Sequence, residues 1–152
     1  MRVPAFLTDQ SVAFETIVHA PAFTSQRRAK VLHVPGRLLA KSVLLNGPGG
    51  FFVAVLPATH AVCTDVLAAE MGGPVRLATD REVADLFRDC EWGVLNPFGT
   101  LYGISTVIDD GLDPEAFMVF ESHTHAVTIR MRCKDYMRLE RPRRLSFARH
   151  NP

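Results

Sequence analysis

Lysine is scarce in this chain of 152 residues: Lys30, Lys41 and Lys134 stand against fourteen arginines. Cysteine is scarce too. Cys63, Cys90 and Cys133 are odd in number, widely spaced and form no C-x-x-C pair. This removes the zinc ribbon and the dithiol redox pair from consideration and fits a reducing, cytoplasmic setting. No apolar run is long enough to span a membrane. The opening Met1-Arg2-Val3-Pro4-Ala5-Phe6-Leu7-Thr8-Asp9 turns acidic too soon for a signal peptide. Neither a G-x-x-x-x-G-K-[ST] phosphate loop nor a G-x-S-x-G nucleophile elbow occurs. There is no internal repeat and no low-complexity linker.

What is present is the composition of one globular domain over residues 1–152, 47% hydrophobic and 22% charged. The net charge of +1 hides an uneven layout. Residues 1–59 carry six basic and two acidic groups, residues 60–121 three and twelve, and residues 122–152 eight and two. The basic end is either an anion-facing patch, nucleic acid included, or a solvated helix and tail.

Helices and strands alternate along the chain. Helices are expected over 8–14, from Thr24 or Ser25 through 31, over 64–71, over 80–87 behind a Thr79–Glu82 capping box, and over 134–139. Strands are expected over 16–19, 38–45, 51–56, 75–78, 101–108, 117–120 and 125–130, with residues 46–50 as a hairpin loop. Hairpins with interspersed helices point to an α+β fold, a mixed sheet with peripheral helices, rather than a doubly wound parallel sheet. Phe51, Phe52, Trp92 and Phe98 are expected in the core.

Lys41 interrupts the apolar run Leu38-Leu39-Ala40-Lys41-Ser42-Val43-Leu44-Leu45. An unpaired buried ammonium costs several kcal/mol or loses its proton. Lys41 therefore either snorkels to the sheet edge or points into a cleft that receives an anion or a carbonyl. Between a helix and a strand lies Glu91-Trp92-Gly93-Val94-Leu95-Asn96-Pro97-Phe98-Gly99-Thr100. Its glycines and proline either aim backbone N–H groups at one point, as an oxyanion requires, or form an ordinary connection. His123 and His125, two apart on an expected strand, share a face there. They either begin a metal site, with His60, Cys133 or Glu121 as further ligands, or serve as hydrogen-bonded pocket histidines; the second is the reading adopted. Asp109-Asp110 before Gly111 reads as turn chemistry.

Four segments in this order resemble a known family: Ala40-Lys41-Ser42-Val43-Leu44, Ala54-Val55-Leu56-Pro57-Ala58, Gly93-x-x-x-Pro97-Phe98-Gly99 and Ile129-Arg130-Met131. With His19-Ala20-Pro21-Ala22-Phe23-Thr24-Ser25 ahead of them, they resemble the YbaK/EbsC-type aminoacyl-tRNA deacylases. These are relatives of the editing domain inserted in bacterial prolyl-tRNA synthetases. The resemblance spans about residues 19–139. It implies a mixed sheet curled into a partial barrel, and hydrolysis of the ester joining a wrong amino acid to the tRNA 3′-terminal adenosine. It needs no cofactor and no metal. Lys41 falls on the family's key lysine and Gly93 and Pro97 on its G-x-x-x-P loop. Thr124 and His125 fall near its late G-[ST]-H motif, where the glycine appears as His123; an alternative register uses Ser122-His123.

The implied chemistry is attack by water with no acyl-enzyme. The backbone from Gly93 to Asn96 polarises the carbonyl, and Lys41 anchors the phosphate or carbonyl region. The amino-acid pocket is expected to draw on His19, Phe23, Thr24, Val94, Leu95, Pro97, Phe98, Gly99, Thr124 and His125. Arg141, Arg143 and Arg144 are expected on the acceptor-stem backbone of the aminoacylated tRNA partner. The alternative is a non-catalytic accessory module that binds aminoacyl-tRNA or a tRNA synthetase.

Overall fold

The computed structural model describes residues 1–21 and 25–150. In chain order the elements are α1 (Arg2–Asp9), β1 (Phe14–Val18), α2 (Ser25–Leu32), β2 (Ala40–Gly47), β3 (Gly50–Pro57), β4 (His60–Val62), α3 (Thr64–Met71), β5 (Arg76–Leu77), α4 (Asp80–Leu86), β6 (Ser105–Asp109), β7 (Phe117–Glu121), β8 (Val127–Arg132), α5 (Cys133–Glu140), β9 (Arg143–Leu145) and β10 (Ala148–His150). They form a five-stranded mixed sheet, β5-β2-β3-β6-β9, a three-stranded antiparallel sheet, β1-β8-β7, and a β10-β4 ribbon. The result is the expected α+β class, a mixed sheet with antiparallel partners and helices, and not a closed barrel.

The central strand β3, Gly50-Phe51-Phe52-Val53-Ala54-Val55-Leu56-Pro57, is apolar throughout because both faces of its sheet are covered. Val53 and Val55 join Leu44, Ile108, Met118, Phe120, Ile129 and Met131 in a core between the two larger sheets, closed by Val3, Leu7, Phe87 and Tyr136 from helices. Phe52, Ala54 and Leu56 pack on the opposite face with Leu45, Leu67, Val107 and Phe147. The larger sheets meet at a single bridge, Leu39 to Val119. Beyond it β2 and β7 do not pair, and β5 joins β2 only at Leu45 and Asn46. Residues 40–43 therefore run along an open edge.

Several expected elements sit elsewhere. The first helix is Arg2–Asp9, because Val3 and Leu7, one turn apart, are what the core buries. Residues 10–13 instead turn through Ser11 (φ 57°) into β1. Leu101 and Tyr102 belong to a 3-10 turn, Gly99–Tyr102, rather than to a strand. The strand β8 begins at Val127, so His123 and His125 lie in the turn before it and do not share a strand face. The basic end is not a solvated tail: Arg143 and Arg144 pair with Val107 and Ile108 along the sheet edge. Asp109 Oδ1 holds the N–H groups of Phe147 and Ala148, each at 2.9 Å. The capping box is present in both directions, Glu82 N–H to Thr79 Oγ1 at 3.2 Å and Thr79 N–H to Glu82 Oε1 at 2.9 Å. Phe52 and Phe98 are buried as expected, Phe51 is half-buried, and Trp92 is 58% exposed. Among the described residues no helix is long and apolar enough to cross a membrane.

Candidate functional site

Where β2 and β7 part, a cavity of about 180 Å³ opens, lined by Arg28, Ala40, Lys41, Ser42, Gly93, Leu95, Glu121 and His125. Lys41 reaches it from the open edge of β2. Among the described residues its ammonium has no ion-pair or hydrogen-bond partner, and burial lowers its pKa below the usual 10.5. Of the two readings of this lysine, the structure shows the cavity-lining one.

Opposite Lys41 stands a buried charged group supplied by three separate segments. Arg28 Nη2, from α2, donates to Glu121 Oε2, at the end of β7, at 2.6 Å; the two side chains are 7% and 14% exposed. His125 Nδ1 lies 3.2 Å from the same Oε2, and its Nε2 lies 3.2 Å from the carbonyl of Trp92. A carbonyl only accepts, so Nε2 carries a proton and donates to it. Burial pushes the Glu121 carboxyl above the usual carboxylate range, while Arg28 and His125 pull against that shift. Among the described residues of the lining Arg28 is paired with the one carboxylate, Glu121, so the Lys41 side of the cavity is the part that favours an anionic or carbonyl group of a guest.

The third side of the cavity is the loop over residues 91–99. Gly93 turns with φ 83°, a conformation that favours glycine. A side chain there would meet His125 Nε2 at 3.9 Å. The Val94 N–H is taken by the Glu91 carbonyl at 2.9 Å. Those of Gly93 and Leu95, both in the cavity wall, have no partner among the described residues. Two free donors beside an ammonium are what stabilisation of an oxyanion requires.

A family model for the aminoacyl-tRNA editing domain matches residues 19–139. The chain belongs to that family. No curated protein matches it. Among solved structures it is similar to a hypothetical protein (TM-score 0.85, 17% identity, covering 98% of this chain and 100% of that one). It is also similar to a proposed trans-editing enzyme for prolyl-tRNA synthetase (TM-score 0.77, 19% identity, 97% and 95% covered). A third similar chain is a proposed signal transduction protein from Marinobacter aquaeolei VT8 (TM-score 0.75, 19% identity, 96% of this chain and 30% of that one). These likenesses show the fold.

In this editing domain the residues expected at the site divide by what they touch. Lys41, Gly93, Leu95 and His125 line the cavity. Asn96 has a fully buried side chain committed to Tyr102 Oη at 2.9 Å, the Ser122 carbonyl at 3.3 Å and the Phe98 N–H at 3.0 Å, so it braces the loop. Val94 is buried away from the cavity wall. The Pro97 carbonyl accepts the Tyr136 hydroxyl at 2.5 Å. Phe98 packs edge-on against Phe6, Phe120 and Tyr136. A Cβ on Gly99 would lie 2.6 Å from Thr106 Oγ1. These residues shape the wall from behind. Thr124 Oγ1 accepts the Ala126 N–H within its own turn at 3.2 Å. The half-buried His19 receives its backbone bond from that turn, its N–H donating to the Ala126 carbonyl at 2.9 Å. Phe23 and Thr24 lie outside the described residues. Arg141 is exposed, Arg143 pairs with Glu70 at 2.9 Å and Arg144 donates to the Asp110 carbonyl at 3.3 Å. Sequence reasoning passed over Arg28, and it named Glu121 only as a spare metal ligand.

Asp89, Cys90 and His123 bring a carboxylate, a thiol and an imidazole within 4.8 Å of one another. Their donor types suit a metal, but the ring disagrees. His123 Nε2 faces the Val3 N–H at 3.2 Å and so accepts, which puts the ring proton on Nδ1, the atom a metal would need. Burial also pushes the Cys90 thiol up to about 12, away from a thiolate. The three residues form a hydrogen-bond junction.

Proposed function

We propose that this domain is a trans-editing hydrolase that deacylates misacylated tRNA, cleaving the ester between a small non-cognate amino acid and the 3′-terminal adenosine. One observation carries the reading. The Lys41 ammonium and the partnerless N–H groups of Gly93 and Leu95 line the same cavity, and at about 180 Å³ it suits a small side chain. In this mechanism the ester carbonyl sits against Gly93 and Leu95, whose N–H groups hold the developing oxyanion. Lys41 fixes the adjacent phosphate or carbonyl region as a cation. Water attacks the carbon directly, since among the described residues no nucleophile and base are paired in the cavity; the acyl C–O bond breaks and the ribose oxygen leaves as a hydroxyl, taking up the proton the water gives up. The α-ammonium of the amino acid is received by Glu121, held in place by Arg28 and His125. Arg141, Arg143 and Arg144 lie on or beside strand β9. Three strand spacings, roughly 14 Å, separate β9 from β2. From there they contact the acceptor-stem backbone. Such a substrate places the protein in the cytoplasm.

The test is deacylation of tRNAs charged with alanine, serine, threonine or cysteine by the wild type and Lys41→Ala. Hydrolysis of one or two members that is lost in Lys41→Ala supports the reading. Near-normal turnover by that variant overturns the role of Lys41. Binding of tRNA without turnover of any member points instead to an accessory module that binds aminoacyl-tRNA or a synthetase.

A further inference from the structure

We propose that His123 is a positioning residue that couples the N-terminal helix to the loop over residues 91–99 and so holds Gly93 and Leu95 over the cavity. The inference rests on the deacylase reading for its kinetic consequence but not for its structural one. His123 is 1% exposed and, unlike His125 two residues on, is not part of the cavity wall. Its Nε2 accepts the N–H of Val3 at 3.2 Å. Val3 is in the first turn of α1, where N–H groups have no partner within their own helix, and Met1 supplies no side-chain cap. His123 thus caps α1 from a distant part of the chain.

From the other edge of the ring, Nδ1–H faces the Asp89 carbonyl at 3.2 Å and its carboxylate at 3.4 Å. Asp89 Oδ1 accepts the Tyr102 hydroxyl at 2.7 Å, and Tyr102 Oη accepts from Asn96 at 2.9 Å. Asn96 in turn holds the Phe98 N–H. The His123 carbonyl accepts the Glu91 N–H at 2.7 Å. The loop is therefore gripped at both ends by one connected network, Val3–His123–Asp89–Tyr102–Asn96. Arg2 adds a second tie from the same helix, donating to the Leu101 carbonyl at 3.0 Å and stacking over the Tyr102 ring at 4.6 Å. Helix α1 lies outside the residues matched by the family, 19–139.

The network has a built-in reporter. Trp92, the single tryptophan, sits between Glu91 and Gly93 and is 58% exposed. Its acrylamide quenching and anisotropy are to be measured in the full-length protein for the wild type, His123→Gly, His123→Gln and Arg2→Ala, alongside kcat and KM for the best tRNA substrate. His123→Gly removes the grip, so Trp92 becomes more quenchable and its anisotropy falls. In the same variant kcat drops about 10- to 100-fold with little change in KM, the scale expected when reacting groups move by up to an ångström. His123→Gln places an amide oxygen where Nε2 was, keeps the acceptor for Val3 but not the Nδ1–H to Asp89, and so restores both readouts part of the way from His123→Gly towards wild type. Arg2→Ala, at an exposed site, shifts Trp92 in the same direction as His123→Gly by a smaller amount. Should His123→Gly fail to fold, the Gln and Arg2 variants decide the matter. Wild-type quenching in Arg2→Ala, or a Trp92 response in His123→Gln as large as in His123→Gly, overturns the proposal. If no tRNA is hydrolysed, the deacylase reading fails, while the Trp92 measurements still accept or reject the grip.

Discussion

Arg28→Met tests whether the charged wall of the cavity is as buried as the geometry states. Methionine keeps most of the arginine stem and removes the guanidinium that donates to Glu121 at 2.6 Å. Glu121, 14% exposed, then keeps His125 Nδ1 at 3.2 Å as a neighbour. Breaking a buried pair commonly costs about 3–5 kcal/mol, but a carboxylate can escape by taking a proton. For a carboxyl with the usual value of 4.5, protonation at pH 7 costs about 3.4 kcal/mol at 1.36 kcal/mol per unit. Burial already raises Glu121 above that value, so the expected loss of stability at pH 7 is capped below about 3.4 kcal/mol. The sign with pH follows. In the variant the folded state holds a proton that the unfolded chain releases above its own carboxyl pKa, so its stability falls as pH rises from there through the raised folded value. Moving from pH 7 to pH 5 lowers the protonation cost by about 2.7 kcal/mol, which removes most of the penalty. Urea titrations of wild type and variant at both pH values give the two differences, and Arg28→Met with Glu121→Gln should be closer to wild type than Arg28→Met alone. A difference below about 1 kcal/mol that is equal at both pH values is the mark of a solvated surface pair and refutes the reasoning.

Gly99→Ala brings a Cβ to 2.6 Å from Thr106 Oγ1 and 3.2 Å from two backbone carbonyls, so a stability loss of about 1–3 kcal/mol is expected in urea unfolding. Because the strain falls behind the loop, turnover should suffer as well. Arg141→Gln and Arg144→Gln leave the core intact and should each flatten the slope of log affinity for tRNA against log salt by somewhat under one unit. An unchanged slope in both removes the basic edge from the tRNA-binding surface.

Local rules carried the parts of the fold that local chemistry decides. The Thr79–Glu82 box, the Asn46–Gly50 hairpin, and the helix Thr64–Met71, closed by Gly72 at φ 83°, follow from residues a few positions apart. The misplaced elements are those whose partners are remote. Val3 and Leu7 make a helix because Phe98 and Phe120, about a hundred residues away, leave a core for them to cover. Arg143 and Arg144 join a sheet because β6 offers a free edge and Asp109 accepts the N–H groups of Phe147 and Ala148 just beyond them. Charge density read alone made that segment look solvated; the long-range pairing is absent from its own letters.

The site shows the same division. Lys41 was legible because a charge inside an apolar run is a contradiction within eight residues, and Gly93 because a positive φ leaves a glycine behind. Arg28 and Glu121 left no such mark. Each sits in a polar local setting, on a short arginine-rich helix and at the end of a strand, where a charge costs nothing until the fold buries it. They become functional candidates only when α2 and β7 bring them within 2.6 Å, 93 positions apart. His123 was misjudged for a related reason: neighbouring histidines on an assumed strand had to share a face, whereas a turn lets successive side chains diverge. That divergence gives His125 to the cavity and His123 to the network behind it. One short turn thus gives one imidazole to the cavity wall and the other to the hydrogen-bond network behind the loop over residues 91–99.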